Sequence, residues 1–278
     1  MKGTWLKRET FSITAATYGS GETLCLCQGC GIVFARPLPT EEKLARVYEE
    51  LEDPSYVEEM DRSKAAQKVI SLLEKTLGGP GRLLDVGCFN GILLAEAKRL
   101  GWEVEGVEPS RWARQKAREQ FGLEIRHPSL QETSFAEGSF DAVTAIDVLE
   151  HFLHPKEELQ EISRIVRKGG ILYLSTPDID SLARRIFRSR WWGYRPEHLF
   201  YFSRRCLRSL LVSFNFELVW EGFYSRPFTV GELLKRLQGV SPRLGRFFSP
   251  LERGPFLKKV EVPVNLFDRI ALLARKRD

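Results

Sequence analysis

Residues 81–94, GRLLDVGCFNGILL, set an apolar run before an acid, Asp85, and then two glycines, Gly87 and Gly91, before a second apolar run. That order fits a buried strand feeding a helix through a tight turn. Glycine takes the backbone conformations such a turn demands, and the helix N-terminus leaves N–H groups facing whatever lies beyond the strand. A second acid, Glu108, closes the next strand-like run, EVEGVE. A strand-end carboxylate about twenty residues beyond a glycine turn is spaced to take both hydroxyls of a ribose. The pair points to a nucleoside-containing ligand at the carboxyl edge of a parallel sheet.

The rest of the chain keeps that alternation. A strand at 82–86 and a helix near 91–100 lead to EVEGVE, a helix from Ser110 to Phe121 closed by Gly122, and a strand LEIRH. FDAVTAI (140–146) is the fourth strand. Pro155 then opens a helix with Leu159, Ile162, Ile165 and Val166 inward, stopped by Gly169 and Gly170, and ILYLSTP follows as the fifth strand. Strands alternating with helices are the rhythm of βαβ units on a parallel sheet. Downstream lie a helix at 203–214, a strand FELVWEGF, a helical insertion near 225–260 and a last strand-like run, NLFDRIALLARK. Upstream, Thr40 caps a helical EEKLARVYEEL, and a second helix beyond Asp53 and Pro54 runs to Leu77 with Ala66, Val69, Ile70, Leu73 and Leu77 on one face. Residues 1–39 carry only short β-type runs, TFSITAATY and GIVFARP, around a cysteine cluster. The expected division is therefore a small β-rich cap at 1–39 and one large α/β domain at 40–278.

Composition narrows the function classes. With 278 residues, 43% hydrophobic and 28% charged, the chain is an ordinary globular one. No apolar run is long enough for a membrane-spanning helix, and MKGTWLKRETFSIT lacks the apolar core of a secretory signal, so a cytoplasmic protein is expected. A net charge of +5 is too small an excess to imply nucleic-acid binding. Of the five cysteines, Cys25, Cys27 and Cys30 crowd into CLCQGC; Cys27 and Cys30 have the spacing of one zinc-ribbon knuckle. No earlier pair completes it, so the cap reads as a degenerate ribbon holding thiols, and no metal site is expected.

A dinucleotide-binding turn requires G-x-G-x-x-G, and here Phe89 stands where its middle glycine would be. A cofactor without a pyrophosphate needs less room. LLDVGCFNG, GVEPS, SFDAVTAIDVLEH, IVRKGGILYLSTPD and VPVNLFDRIALLARK, in this order and spacing, resemble the class I S-adenosylmethionine-dependent methyltransferases, in a bacterial branch similar to ubiquinone-pathway and sugar methyltransferases. The resemblance covers roughly residues 24–275. It implies a three-layer Rossmann-like α/β fold on a seven-stranded sheet with the last strand antiparallel, and S-adenosylmethionine as cofactor.

Carried over residue by residue, the resemblance puts Asp85 near the cofactor's methionine amino group above a floor of Gly87 and Gly91, and gives the ribose hydroxyls to Glu108. It sets Leu130 and Gln131, in the loop SLQE, beside the adenine, and Asp147 at the methionine end. Phe89 departs from the commonest pattern and fits if its side chain points away from the cofactor. Methyl transfer from a sulfonium needs alignment above all, and a base only if the acceptor must lose a proton. Imidazole titrates near neutrality, which singles out His198 in RPEHLFYF and then His151 in LEH. Either can instead be a hydrogen-bonded structural histidine.

The aromatic residues Trp191, Trp192, Tyr194, Phe200, Tyr201 and Phe202 form an acceptor lid or an internal packing cluster. The arginines of 184–195 beside them form a solvated face or a peripheral contact with lipid headgroups. The expected acceptor is an oxygen of a small metabolite, sugar or lipid-linked intermediate. An NAD-dependent oxidoreductase and a non-catalytic S-adenosylmethionine-binding module are the competing readings; equilibrium binding of both cofactors separates the first from a methyltransferase.

Overall fold

The computed structural model describes residues 23–52, 63–223, 228–229, 261–262 and 268–278. Its centre is a six-stranded sheet. In chain order the strands are β3 (Arg82–Val86), β4 (Glu103–Val107), β5 (Phe140–Ile146), β6 (Val166–Pro177), β8 (Phe216–Phe223) and β11 (Arg269–Lys276), arranged in space as β4-β3-β5-β6-β11-β8. β3 to β6 are mutually parallel, and β11 runs antiparallel between β6 and β8.

Helices cover both faces, and the strand sequences alternate between two packed clusters. Leu83, Ala142, Ile171, Tyr173, Ala271 and Leu273 pack with α2 (Ser63–Leu77) and α3 (Ile92–Arg99). Leu84, Val143, Leu172, Leu174, Ile270 and Leu272 pack instead with α5 (Pro155–Ile165) and α7 (Arg204–Ser213). Burial on both faces explains why these strands read as near-continuous apolar runs. α2 buries Ala65, Ala66, Val69, Ile70 and Leu73, the stripe expected of an amphipathic helix. Beyond β4, α4 (Arg111–Phe121) is capped by Ser110, whose hydroxyl accepts from Ala113 N–H at 3.0 Å.

Two expectations about the sheet change. LEIRH is not a strand: its contribution is a single bridge from His127 to Val107 at the outer edge, so the main sheet counts six strands among the described residues rather than seven. An edge run with one pairing partner forms few ladder bonds. The helix opened by Pro155 stops at Ile165, and β6 starts at once; Gly169 and Gly170 lie inside that strand, where it bulges between the Phe140–Val166 and Ala142–Ile171 pairs.

At the N-terminal side, β1 (Thr23–Leu26) and β2 (Val33–Arg36) form a hairpin whose sheet is completed by β7 (Phe200–Tyr201). α1 (Glu41–Glu49) follows, capped by Thr40. α6 (Leu182–Phe187) sits between β6 and β7. The two remaining short strands, β9 (Phe228–Thr229) and β10 (Glu261–Val262), pair with each other. TFSITAATY, the segment 53–62 and most of the insertion near 225–260 lie outside the described residues.

A candidate active site at the carboxyl ends of the parallel strands

β3, β4 and β5 run in one direction, so Asp85, Glu108 and Asp147 arrive at the same rim of the sheet. The turn from β3 into α3 carries three positive φ angles, at Gly87 (71°), Phe89 (47°) and Gly91 (75°). Glycine adopts these freely; an aromatic residue does so only at a cost of about 1–3 kcal/mol, borne by the surrounding structure. The compensation is visible. Phe89 N–H donates to Glu108 Oε2 at 2.9 Å, and the Phe89 ring packs 5.9 Å from the ring of Trp112 in the first turn of α4.

Glu108 is buried and receives a second backbone donor, Ser110 N–H, on Oε1 at 2.8 Å. Asp85 is equally buried and accepts from the Thr144 hydroxyl on Oδ1 at 2.6 Å. Burial pushes both carboxyls up to about 7; the donors to each oppose this, and the nearby Glu108 charge adds to it for Asp85. Each oxygen still has a lone pair for a further donor. Cys88, between them in the turn, is packed: its Sγ lies where a Cβ on Gly106 would fall, and burial holds the thiol protonated.

The second half of the site follows β5. Asp147, at a φ of 54°, accepts from the Ser175 hydroxyl at 3.1 Å and is ion-paired with Arg269. A short 3-10 turn, Leu149–His151, then presents Glu150 and His151. The segment before β7 comes back over it: Leu199 N–H donates to Glu150 O at 2.8 Å. This brings His198 within 4.8 Å of His151, ring centre to ring centre, edge to face. His198 Nδ1 lies 2.8 Å from Gly193 O, while His151 Nδ1 lies 3.0 Å from Glu197 O and 2.8 Å from the Tyr48 hydroxyl of α1. Burial lowers both imidazoles, His151 to about 4 and His198 well below its usual range, so both are neutral at pH 7. Glu150 is buried, pushed up to about 7 by that burial, and accepts from Thr176 on Oε2 at 2.9 Å.

Other candidates lie apart from these contacts. Leu130 is fully buried in the cluster shared by β3, β5 and α5, and Gln131 is exposed with its amide donating to Glu158. Trp191, Trp192, Tyr194 and Tyr201 form a buried cluster with Ile179 and Ala183, and Phe202 is buried in the main core. Those aromatics pack against one another rather than standing open as a lid. His154 precedes α5 and meets the exposed Glu41 at 3.0 Å. In the hairpin, Cys30 N–H and thiol and Gly29 N–H hydrogen-bond to Cys27 and lower its pKa; burial, then the nearby Cys30 and Cys27, raises Cys206 to about 11.

Sequence reading finds both histidines but not that they meet; it allows Glu150 only as a solvated polar residue at a strand end, which its burial contradicts, and it passes over Tyr48 and Thr144. The adjacency of Glu150 to His151 was the available signal. Nothing in the order of residues announces that a segment near 198 folds back onto it.

A family model described as a methyltransferase domain matches residues 56–221. The Ubiquinone biosynthesis O-methyltransferase of Nitrosococcus oceani is 38% identical over 102 residues, which are 34% of this chain and 43% of that protein. The match thus spans less than half of that relative's length. A SAM dependent methyltransferase of Archaeoglobus fulgidus aligns with a TM-score of 0.53 and 19% identity, covering 81% of this chain and 100% of the other. The Burkholderia thailandensis 1,6-didemethyltoxoflavin-N1-methyltransferase, solved with 1,6-didemethyltoxoflavin and S-adenosylhomocysteine, aligns with a TM-score of 0.51 and 18% identity over 91% of this chain and 98% of its own. At such identities the two solved structures speak for the fold.

Proposed function

The chain belongs to the class I S-adenosylmethionine-dependent methyltransferases, and from that premise we propose that it carries a methyl group from S-adenosylmethionine to an oxygen of a small metabolite, sugar or lipid-linked acceptor. The observation that carries the reading is the buried pair Asp85 and Glu108 at the rim of the parallel strands. A buried carboxyl is costly to ionise without donors or cations, and an ammonium and a ribose diol supply both. The two buried acceptors therefore fit the cofactor.

In this reading Glu108 holds the ribose hydroxyls, its orientation fixed by the N–H groups of Phe89 and Ser110. Asp85, oriented by Thr144, takes the amino end above the floor of Gly87 and Gly91. The short turn with Leu130 and Gln131 borders the adenine, Leu130 from within the core, and Asp147 lines the methionine end beside Arg269. When bound, the cofactor supplies a methyl group on a sulfonium that is already a good leaving group, so the chain's task is alignment.

An acceptor hydroxyl must also lose its proton. We assign that to the imidazole pair, His198 first and His151 second, both neutral and both with Nδ1 engaged, which leaves Nε2 for the acceptor. Oxygen as acceptor atom is supported by the name of the Nitrosococcus oceani relative. Lipid-linked acceptors are supported by α6, where exposed Leu182 and Ile186 stand beside exposed Arg185, with Arg188 following. No helix among the described residues is long and apolar enough to cross a membrane.

The test is a screen of phenolic, sugar and lipid-linked acceptors with methyl-labelled cofactor. Label transfer that falls at least tenfold in His198→Ala while S-adenosylhomocysteine affinity is kept supports the assignment. Retained cofactor binding with no transfer to any acceptor turns the reading toward a binding module.

A further inference from the structure

Glu150, His151 and His198 reach one point from two separate segments, the turn after β5 and the approach to β7. One donor atom from each lies within 4.8 Å of the others, and this is the one such cluster of metal-ligating groups among the described residues. Glu150 and His198 are only 1% and 5% exposed. We propose that these three side chains bind a divalent transition-metal ion, whose open positions take adjacent oxygens of the acceptor.

Hydrogen bonding prepares each ligand. A carbonyl oxygen only accepts, so the contact of His198 Nδ1 with Gly193 O at 2.8 Å puts the proton on Nδ1 and leaves the Nε2 lone pair free. The contact of His151 Nδ1 with Glu197 O at 3.0 Å does the same there, with the Tyr48 oxygen as a second acceptor at 2.8 Å. An N–H held by a carbonyl is the usual outer support of a metal-bound imidazole, because it fixes the ring and raises its donor strength. Glu150 is held through Oε2 by Thr176 at 2.9 Å, while Oε1 is buried with no hydrogen-bond partner. Arg195, the cation of this region, is ion-paired with Glu197. A buried carboxylate oxygen without a partner is expensive, and a cation removes that cost.

The donor set selects the ion. Two imidazole nitrogens and one carboxylate suit zinc, iron(II), cobalt(II) or manganese(II) rather than magnesium or calcium, which favour all-oxygen surroundings. Three protein ligands leave coordination positions open on such an ion, and there a vicinal diol, catechol or hydroxy acid can chelate. A hydroxyl on such an ion ionises far more readily than a free one, giving its proton to water and keeping its electron pair on oxygen. With the ion bound, His151 and His198 act through it; without it they take the proton themselves. The inference deepens the acceptor-site reading above and rests on it.

The test is a titration of chelator-treated full chain with Mn2+, the free ion followed by its electron paramagnetic resonance signal. Manganese avoids the thiols of Cys27 and Cys30, and Zn2+ is then added as competitor. One ion per chain is expected, with affinity down ~10–100-fold in His198→Ala and in the near-isosteric Glu150→Gln, and unchanged in His154→Ala. In the wild type, substoichiometric Mn2+ should broaden the imidazole resonances of His151 and His198 before those of His127 and His154, a readout that needs no variant. No binding at millimolar Mn2+, equal affinity in the variants, or broadening at other histidines overturns the proposal. If S-adenosylhomocysteine binding and methyl transfer persist without an ion, the metal site alone falls; if the cofactor fails to bind, the transferase reading fails instead.

Discussion

Asp85 and Glu108 hold protons that ordinary carboxyls release, and this gives the ligand-free chain an unusual pH response. Their values rise from 3.8 and 4.5 to about 7 on folding, chiefly through burial. A raised folded value contributes stability that is complete below the unfolded value and is lost as pH climbs through the folded one. Below the ordinary imidazole value of 6.5 the lowered His151 and His198 pull the other way, so the ligand-free melting temperature is expected to fall from about pH 6.5 to pH 8, and Glu108→Gln should flatten that slope; a melting temperature that rises over this range would contradict the burial of an uncompensated pair. Cofactor affinity should move the other way. The ionised pair accepts the ammonium and the ribose, so binding is expected to weaken below pH 7, by up to about tenfold per pH unit for each acid that must ionise, as read by calorimetry across pH. Both acids were legible in the sequence because each ends an apolar run at a spacing that a nucleoside imposes. Glu150 was not: its significance lies in an unpartnered oxygen and in the approach of His198, which residue order does not record.

At the scale of elements, the turn between β3 and α3 has little room to vary. A Cβ on Gly91 would stand 2.8 Å from Leu123 Cδ1 and 3.3 Å from Ala117 Cβ, at a φ of 75°. Gly91→Ala is expected to cost about 1–3 kcal/mol in urea unfolding, because strain and overpacking add. The last turn of α1 and Leu51 beyond it touch both halves of the site. Leu51, just beyond its C-terminus, accepts from the Ser110 hydroxyl at 2.7 Å beside Glu108, Glu49 is paired with Arg111, and Tyr48 contacts His151 at 2.8 Å. Tyr48→Phe should therefore slow turnover by ~5-fold, about one hydrogen bond, with S-adenosylhomocysteine affinity unchanged; equal losses in both would place its effect on the fold instead. α3, α4 and the stripe of α2 were read from their caps and periodicity. The end of α5 was not, because two glycines read as a helix stop serve a bulge inside β6. LEIRH has β-type residues, but at the sheet's margin it gains one bridge, and local propensity cannot report how many partners a strand finds.

For the molecule as a whole, one sheet sets the arrangement. Parallel β3, β4 and β5 deliver the cofactor acids and the β5 turn to a common rim, and β11, antiparallel between β6 and β8, brings Arg269 to Asp147. That rim was inferable from the alternation of strands and helices; the doubling back of the segment before β7, which completes the acceptor side, depends on tertiary packing. α6 projects Leu182 and Ile186, 66% and 61% exposed, with exposed Arg185 beside them. If this surface serves lipid-linked acceptors, the chain should sediment with anionic vesicles, less so at high salt, and Leu182→Ser with Ile186→Ser should abolish it without changing the melting temperature. The most direct measurement is calorimetric titration of the full chain with S-adenosylhomocysteine, alongside NAD. One molecule of S-adenosylhomocysteine per chain is expected, with no NAD binding, and Glu108→Gln should weaken it by ~1–3 kcal/mol through lost charge-assisted hydrogen bonds. Absence of binding to the wild type, or equal affinity in Glu108→Gln, would contradict the assignment of the rim to a sulfonium nucleoside.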